Sequence, residues 1–176
     1  MESFIHNWGY IALFLYSFGG GMLALAIAGV FSFSGELNIY TSIIVAFSAN
    51  FIGDQFLFYI ARTNKSQAKA MMQKHKRKIA LAHLMMKKYG KIVVFLQKYI
   101  YGIKTLIPLA MGLTKFNFKT FTIFNFFASI LWAIIVGYSA YIMGDIIYSY
   151  TAEIKQFGIY LILILLLVIY YFYKKL

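Results

Sequence analysis

Residues 92–113 read IVVFLQKYIYGIKTLIPLAMGL, and this stretch decides how the chain can be arranged. Its length suits a membrane span, which needs about 20 apolar residues in a helix. It also contains the residues least suited to a straight span, which are Lys98, Gly102, Lys104, Pro108 and Gly112. A mid-bilayer lysine is costly, and broken backbone at membrane depth needs cover from protein or water. The stretch therefore predicts a re-entrant hairpin, with a kinked continuous helix and snorkelling lysines as the alternative.

The composition of the whole chain points to a membrane protein. Of its 176 residues, 62% are hydrophobic and 12% are charged, whereas a soluble globular chain has about 25% charged residues. A chain of this size exposes too much surface to hide so many apolar side chains from water. The composition therefore excludes a soluble globular protein and a disordered one. The absence of cysteine from the sequence excludes a disulfide framework and a cysteine-based metal site.

Five apolar stretches are candidates for membrane segments within a single membrane domain, residues 1–176. They are residues 8–33, 37–60, 92–113, 121–144 and 156–173. The first is interrupted by Gly19, Gly20 and Gly21, each of which lowers helix stability by up to about 1 kcal/mol relative to alanine. This interruption predicts a first re-entrant hairpin. The three stretches without a break are predicted to be transmembrane helices.

The charges are strongly one-sided, with 17 lysines and arginines against five acids. In a soluble protein this balance would suggest a nucleic-acid partner. In a membrane protein it indicates cytoplasmic loops close to anionic lipid. The expected partners are therefore membrane lipids with anionic headgroups and not nucleic acid, and a homo-oligomer is compatible with the sequence.

The positive-inside rule assigns a topology. Residues 62–91 contain many lysines and arginines and no acid, so they are expected in the cytoplasm. If 92–113 is a hairpin, residues 114–119 and 174–176 lie on that side too. Residues 145–155 are then outside, with a single lysine among them. If 92–113 spans the membrane instead, four lysines lie outside, so the charges favour the hairpin.

Residues 62–91 also show helical periodicity. The apolar positions that recur near helical spacing are Ala68, Met71, Met72, Ile79, Ala82 and Met86. The basic residues occupy mostly the remaining surface. This pattern predicts an amphipathic helix in the cytoplasmic interface with its basic residues toward anionic headgroups, and a solvated lysine-rich linker is the alternative.

The two halves of the chain share a layout at an offset of roughly 80 residues. Each has a glycine-interrupted stretch that ends in a small-residue pair, Ala28-Gly29 or Met111-Gly112, followed by an aromatic turn and a long apolar span. Broken segments in matching positions are typical of inverted-repeat transporters, whose sites lie where the breaks meet. The predicted fold is an all-α integral membrane protein. It is an inverted repeat of re-entrant hairpin plus transmembrane helix, with the interfacial amphipathic helix between the halves.

Five sets of residues have the same order and similar spacing as the sequence motifs of one known family. They are Ala28-Gly29 with Gly35-Glu36-Leu37-Asn38, Gly53-Asp54 with Tyr59 and Ala61-Arg62, Lys98 to Lys104, Pro108 with Gly112, and Phe121, Asn125, Trp132, Gly137-Tyr138 and Gly144. Over roughly residues 14–145 the chain resembles the DedA family, also called SNARE-associated or VTT-domain proteins. The resemblance implies a multi-pass protein of the bacterial inner membrane.

The chain departs from the family pattern at two places. Residues 98–104 match a family motif with arginine at both ends and a proline between, where this chain has Lys98, Lys104 and Tyr101. A lysine supplies a point charge where arginine would give a bidentate fork. The first hairpin of the family usually carries carboxylates, whereas residues 16–22 here contain none. The chain is therefore interpreted as a divergent member.

The resemblance implies a lipid transporter or scramblase, with undecaprenyl phosphate as a proposed substrate of bacterial members. Lys98 and Lys104 are the candidate headgroup-binding residues, because an intramembrane cation is a functional hypothesis by default. Alternatively, both snorkel to the cytoplasmic surface. Asp54 is either an ion-pair partner of these lysines or a proton relay. A non-catalytic pore, or an assembly or homeostasis factor without lipid transport, is the alternative function.

No catalytic residue, metal site or cofactor is predicted. A membrane phosphatase would need a cluster of histidine, aspartate and arginine around a nucleophile or metal. The three histidines, at positions 6, 75 and 83, lie outside the apolar stretches and have no acid nearby in the sequence. The chain is therefore not expected to be an enzyme.

Overall fold

The computed structural model describes residues 2–73, 76–100 and 103–149, and these ranges are helical apart from turns. The helices are α1 (Glu2–Phe18), α2 (Met22–Phe33), α3 (Ile39–Thr63), α4 (Lys65–Gln73), α5 (Lys76–Tyr89), α6 (Val93–Leu96), α7 (Leu106–Leu113) and α8 (Phe118–Ser149). Short 3-10 turns at Gly90–Ile92 and Gln97–Tyr99 flank α6. The predicted C-terminal helix over 156–173 and Gly102 lie outside the described residues.

Helices α3 and α8 are the two described helices that are long and apolar enough to cross a membrane. With 25 residues, α3 is roughly 37 Å long, against a hydrocarbon core of about 30 Å. The side chain of Asn38 accepts hydrogen bonds from the backbone of Tyr40 and Thr41 and so caps the start of α3. Asn117 accepts likewise from Thr120 at the start of α8. The all-α class is confirmed for the described residues.

The two long helices pack against each other through aromatic side chains. The rings of Phe58 and Phe121 stack with their centroids 4.5 Å apart, and Phe47 meets Phe126 edge-on at 5.4 Å. Such aromatic pairs contribute roughly 0.5–1.5 kcal/mol beyond the apolar area that they bury. The pair α3–α8 is therefore the frame on which the other helices are placed.

Helices α1 and α2 form a hairpin whose tip reaches α3. The turn is tight because Gly20 has a φ of 94°, a conformation that side chains disfavour. The backbone of Asn38 donates a 2.8 Å hydrogen bond to the Tyr10 hydroxyl, so the open end of the hairpin lies beside the start of α3. A β-carbon at Gly53 would overlap the carbonyl oxygen of Phe18. The tip therefore rests on α3 beyond its midpoint.

Helix α6, with the 3-10 turn that follows it, and helix α7 are the two arms of a second hairpin, which approaches α3 from its other end. Val93 and Met111, on the two arms, belong to one buried cluster with Phe58 and Phe121. Lys98, at the end of the first arm, contacts Asn50 and Asp54 near the middle of α3. Both arms of this hairpin therefore lie beside the same end of α3.

Each hairpin is locked to a long helix by a glycine, and the two contacts match. A β-carbon at Gly112 in α7 would collide with Phe58 O and Ala61 Cβ on α3. A β-carbon at Gly29 in α2 would collide with Gly137 O and Ala140 Cβ on α8. Phe58 and Gly137, and likewise Ala61 and Ala140, are separated by the same number of residues. The capping residues Asn38 and Asn117 are separated by that number too. Each hairpin therefore docks on the long helix of the opposite half.

The basic segment predicted as one amphipathic helix over 62–91 corresponds to α4 and α5, since α3 extends through 62–63 and residues 74–75 are outside the described ranges. Its buried apolar residues, Ala68, Ala82 and Met85, pack in clusters with residues of α7 and α3. These residues are thus covered by the protein itself, whereas Leu81 and Leu84 of α5 are exposed. Lys87 and Lys88 are exposed on α5.

Candidate functional site

A buried network surrounds the ammonium group of Lys98, whose side chain is completely shielded from solvent. Its Nζ lies 2.6 Å from Asp54 Oδ2, 2.5 Å from Asn50 Oδ1, 2.7 Å from Asn125 Oδ1 and 2.8 Å from Ser129 Oγ. An ammonium has three hydrogen-bond donors. Four oxygens share these donors, so the hydrogen-bonding capacity of Lys98 is filled.

The network is assembled by three separate parts of the chain. Asn50 and Asp54 lie one turn apart on α3, and Asn125 and Ser129 lie one turn apart on α8, so each pair points to one side of its helix. Lys98 comes from the 3-10 turn at the end of the first arm of the second hairpin. The ion pair therefore ties this hairpin to both long helices.

Lys104 is also buried, with 7% of its surface exposed, but its environment differs. Its Nζ lies 4.4 Å from the centre of the Trp132 ring, within the range of a cation–π contact. The Nζ atom has no hydrogen-bond partner among the described residues. An ammonium buried without hydrogen bonds is costly. Lys104 is thus a buried cation with unused donors.

A cavity of about 340 Å³ adjoins Lys104, between the tips of the two hairpins and α5. Its wall includes Gly19 and Gly20 from the first tip and Tyr99 and Thr105 from the second. A β-carbon at Gly20 would stand 3.0 Å from Lys104 Cδ and 3.3 Å from its Nζ, so the glycine leaves this space open. The volume falls in the range of small-molecule sites. The described residues that line the cavity include no acid.

The sequence-predicted residues divide into three groups in the structure. Lys98 and Asp54 form an ion pair, and Lys98 and Lys104 both line the cavity. The glycines at 19 and 20 line the cavity, whereas Gly21 immediately precedes α2. Pro108 and Gly112 are buried in α7, away from the cavity wall. Neither lysine extends to the surface of the described structure.

Apart from Asp54, sequence reasoning gave no functional role to the residues that hold Lys98 or to the ring beside Lys104. Asn50, Asn125, Ser129 and Trp132 are all almost completely buried. The spacing offered a signal, because two pairs of polar residues stand four positions apart in otherwise apolar helices. Polar residues inside a membrane segment usually face the protein interior and have partners.

The family model of the VTT domain matches residues 8–142, which include both hairpins, α3 and most of α8. The chain belongs to the VTT-domain, or DedA, family. The resemblance drawn from the five sets of residues is thereby confirmed.

Two relatives extend the comparison. The chain is 29% identical over 147 residues to undecaprenyl phosphate transporter A of Staphylococcus aureus, a match that covers 75% of this chain and 72% of that protein. It is 24% identical over 172 residues to inner membrane protein YohD of Escherichia coli, with coverage of 96% and 90%. No solved structure matches the chain significantly.

The buried ion pair makes a prediction for stability. Lys98→Met leaves Asp54 charged, buried and unpaired, which should lower the free energy of unfolding by about 3–5 kcal/mol. Asp54→Asn should destabilise in the same way through Lys98. The double variant removes both charges, so its loss should be clearly smaller than the sum of the two single losses. Chemical unfolding in detergent measures all three.

Lys87→Met is the matched control, because it removes an exposed lysine of α5 and should change the unfolding free energy little. Additive losses in Lys98→Met, Asp54→Asn and the double variant would show that the two charges do not depend on each other.

Proposed function

We propose that this protein transports a phosphate-bearing lipid across the membrane and that Lys104 is the cation that receives the phosphate. The observation that carries the proposal is the buried Nζ of Lys104, which makes no hydrogen bond within the described residues and adjoins a cavity. An anion that crosses hydrocarbon needs a nearby compensating charge. The name of the staphylococcal relative supports undecaprenyl phosphate as the first lipid to test.

The geometry favours Lys104 over Lys98 as the phosphate ligand. The charge of Lys98 is balanced by Asp54 at 2.6 Å, and four oxygens share its donors. A phosphate could bind Lys98 only by displacing some of these oxygens. The donors of Lys104 have no partner among the described residues, and its flexible stem lets the ammonium turn toward a ligand in the cavity. Lys98 then serves to hold the hairpin in place.

The same contacts bear on the two roles considered for Asp54. Its Oδ2 receives the Lys98 ammonium and lies 3.4 Å from Gln97 Nε2. Asp54 is buried and is not part of the cavity wall, so these contacts suit an ion-pair partner that holds the second hairpin better than a proton relay. We therefore propose passive movement of lipid down its own gradient.

We further propose that both hairpins are re-entrant and form an inverted repeat in the bacterial inner membrane. The first hairpin has its open end beside the start of α3, and the second has its arms beside the other end of α3. In a membrane crossed by α3 they enter from opposite faces. Their tips meet where Gly20 adjoins Lys104, with the broken backbone covered by protein, as such breaks require.

The orientation of the second hairpin gives a labelling test. Arg62 donates a hydrogen bond to the carbonyl of Phe116, so the end of α3 and the turn before α8 lie together. If the basic segment is cytoplasmic, a cysteine introduced at Lys115 should react only with reagent supplied from the cytoplasmic side. The native sequence has no cysteine, so there is no background reaction.

A cysteine at Asp145 is the paired control and should react from outside. Reaction of the Lys115 cysteine from outside would contradict the re-entrant second hairpin and the inverted repeat with it.

The functional test removes the charge of Lys104 and keeps its shape. Lys104→Met retains an apolar stem against Trp132, so the protein should fold with equal or higher thermal stability. Flux of undecaprenyl phosphate across reconstituted vesicles should fall at least about ten-fold, or roughly 1.4 kcal/mol. Lys104→Arg keeps the charge and should keep most of the flux.

Wild-type flux in Lys104→Met would contradict transport through this site and would favour a pore or an assembly factor, which need no headgroup contact. Loss of flux together with loss of folding would identify Lys104 as a structural residue instead.

A further inference from the structure

Lys78 belongs to the basic segment between the two halves, yet its side chain forms part of the same cavity wall as Lys104. The two lysines differ in depth, because Lys78 is exposed and Lys104 is buried. The cavity wall also includes the buried Lys98, which is paired with Asp54, so Lys78 is the exposed lysine of the wall and Lys104 is its buried lysine without an ion-pair partner among the described residues. This rests on the proposed transport function: we propose that Lys78 is a binding residue that captures the lipid phosphate before it reaches Lys104.

The packing of α5 fixes the position of Lys78. Ala82 and Met85 are buried on α5 within the cluster that includes Phe58. Residues at i, i+4 and i+7 lie along one side of a helix, so Lys78 stands on the protein-facing side of α5, one turn before Ala82. The packing therefore directs this lysine toward the hairpin tips.

The charges around the cavity support two-site capture. Asp54 compensates the charge of Lys98, and none of the described lining residues is acidic. Lys78 and Lys104 are left as the uncompensated cations of the wall. A phosphate monoester carries a charge near −1.5 to −2 at neutral pH, so it matches a pair of lysines better than a single one.

Depth assigns different roles to the two lysines. Lys78 lies near the open side of the cavity, where Met22 and Tyr99 are also exposed, so it meets a headgroup at the surface. Its loss should weaken capture. Lys104 lies inside, against Trp132, so its loss should slow the passage of a lipid that is already bound.

The test compares two variants of α5, Lys78→Gln and Lys87→Gln, each of which removes one positive charge. Flux is measured in phosphatidylcholine vesicles that contain increasing amounts of undecaprenyl phosphate. We expect Lys78→Gln to raise the half-saturating lipid content about five-fold, equivalent to about 1 kcal/mol, the contribution of one lysine near an anionic surface. Its maximal rate should stay close to wild type. The wild-type half-saturation should also depend more strongly on salt than that of Lys78→Gln.

Lys87→Gln is the matched control, because Lys87 is exposed on α5 but is not part of the cavity wall. An unchanged half-saturation in Lys87→Gln supports the proposal. Equal shifts in both variants, or no shift in Lys78→Gln while Lys104→Met still loses flux, would overturn it and leave the transport proposal standing. Normal flux in Lys104→Met would instead overturn the transport proposal.

Discussion

The ion pair of Lys98 with Asp54 is the interaction on which the described structure depends most. A buried charge is tolerated only when it is paired and hydrogen-bonded. This requirement forces α3, α8 and the second hairpin to converge on one ammonium group. The same convergence brings the second hairpin's tip to the first, where Gly20 faces Lys104. Lys98 is thus held by the fold, whereas Lys104, in the wall of the same cavity, has no hydrogen-bond partner in the part of the chain that the structure describes.

Much of this arrangement could be predicted from the sequence, because breaks and charges in apolar stretches are expensive and therefore informative. The glycines at 19–21, together with Lys98, Lys104 and Pro108, marked the places where a straight span is unfavourable. In the structure α1 and α2 are separated by a turn at Gly20, and the second stretch is divided into α6 and α7. The ends of α3 and α8 differ from the predicted limits by a few residues, since capping asparagines and frayed ends decide them.

The sequence could not separate the roles of the two lysines. Both stand in the same broken stretch, and the difference depends on which distant oxygens reach each ammonium group. Asn125 and Ser129 on α8 reach Lys98, whereas Lys104 meets the ring of Trp132. Nor could periodicity show what covers the apolar side of α5, because a helix that lies on lipid and a helix that lies on α7 have the same pattern. Only the packing places Lys78 at the cavity.

The central claim is that Lys104 contacts the lipid phosphate, and a direct measurement of that contact tests it. Solid-state NMR can detect the dipolar coupling between the phosphorus of undecaprenyl phosphate and a labelled lysine ammonium nitrogen, in a detergent that contains no phosphate. The wild type should show a short phosphorus–nitrogen contact that is clearly weaker in Lys104→Met, where Lys78 can still meet the phosphate, and unchanged in Lys87→Gln. A contact of the same strength in Lys104→Met would contradict the claim.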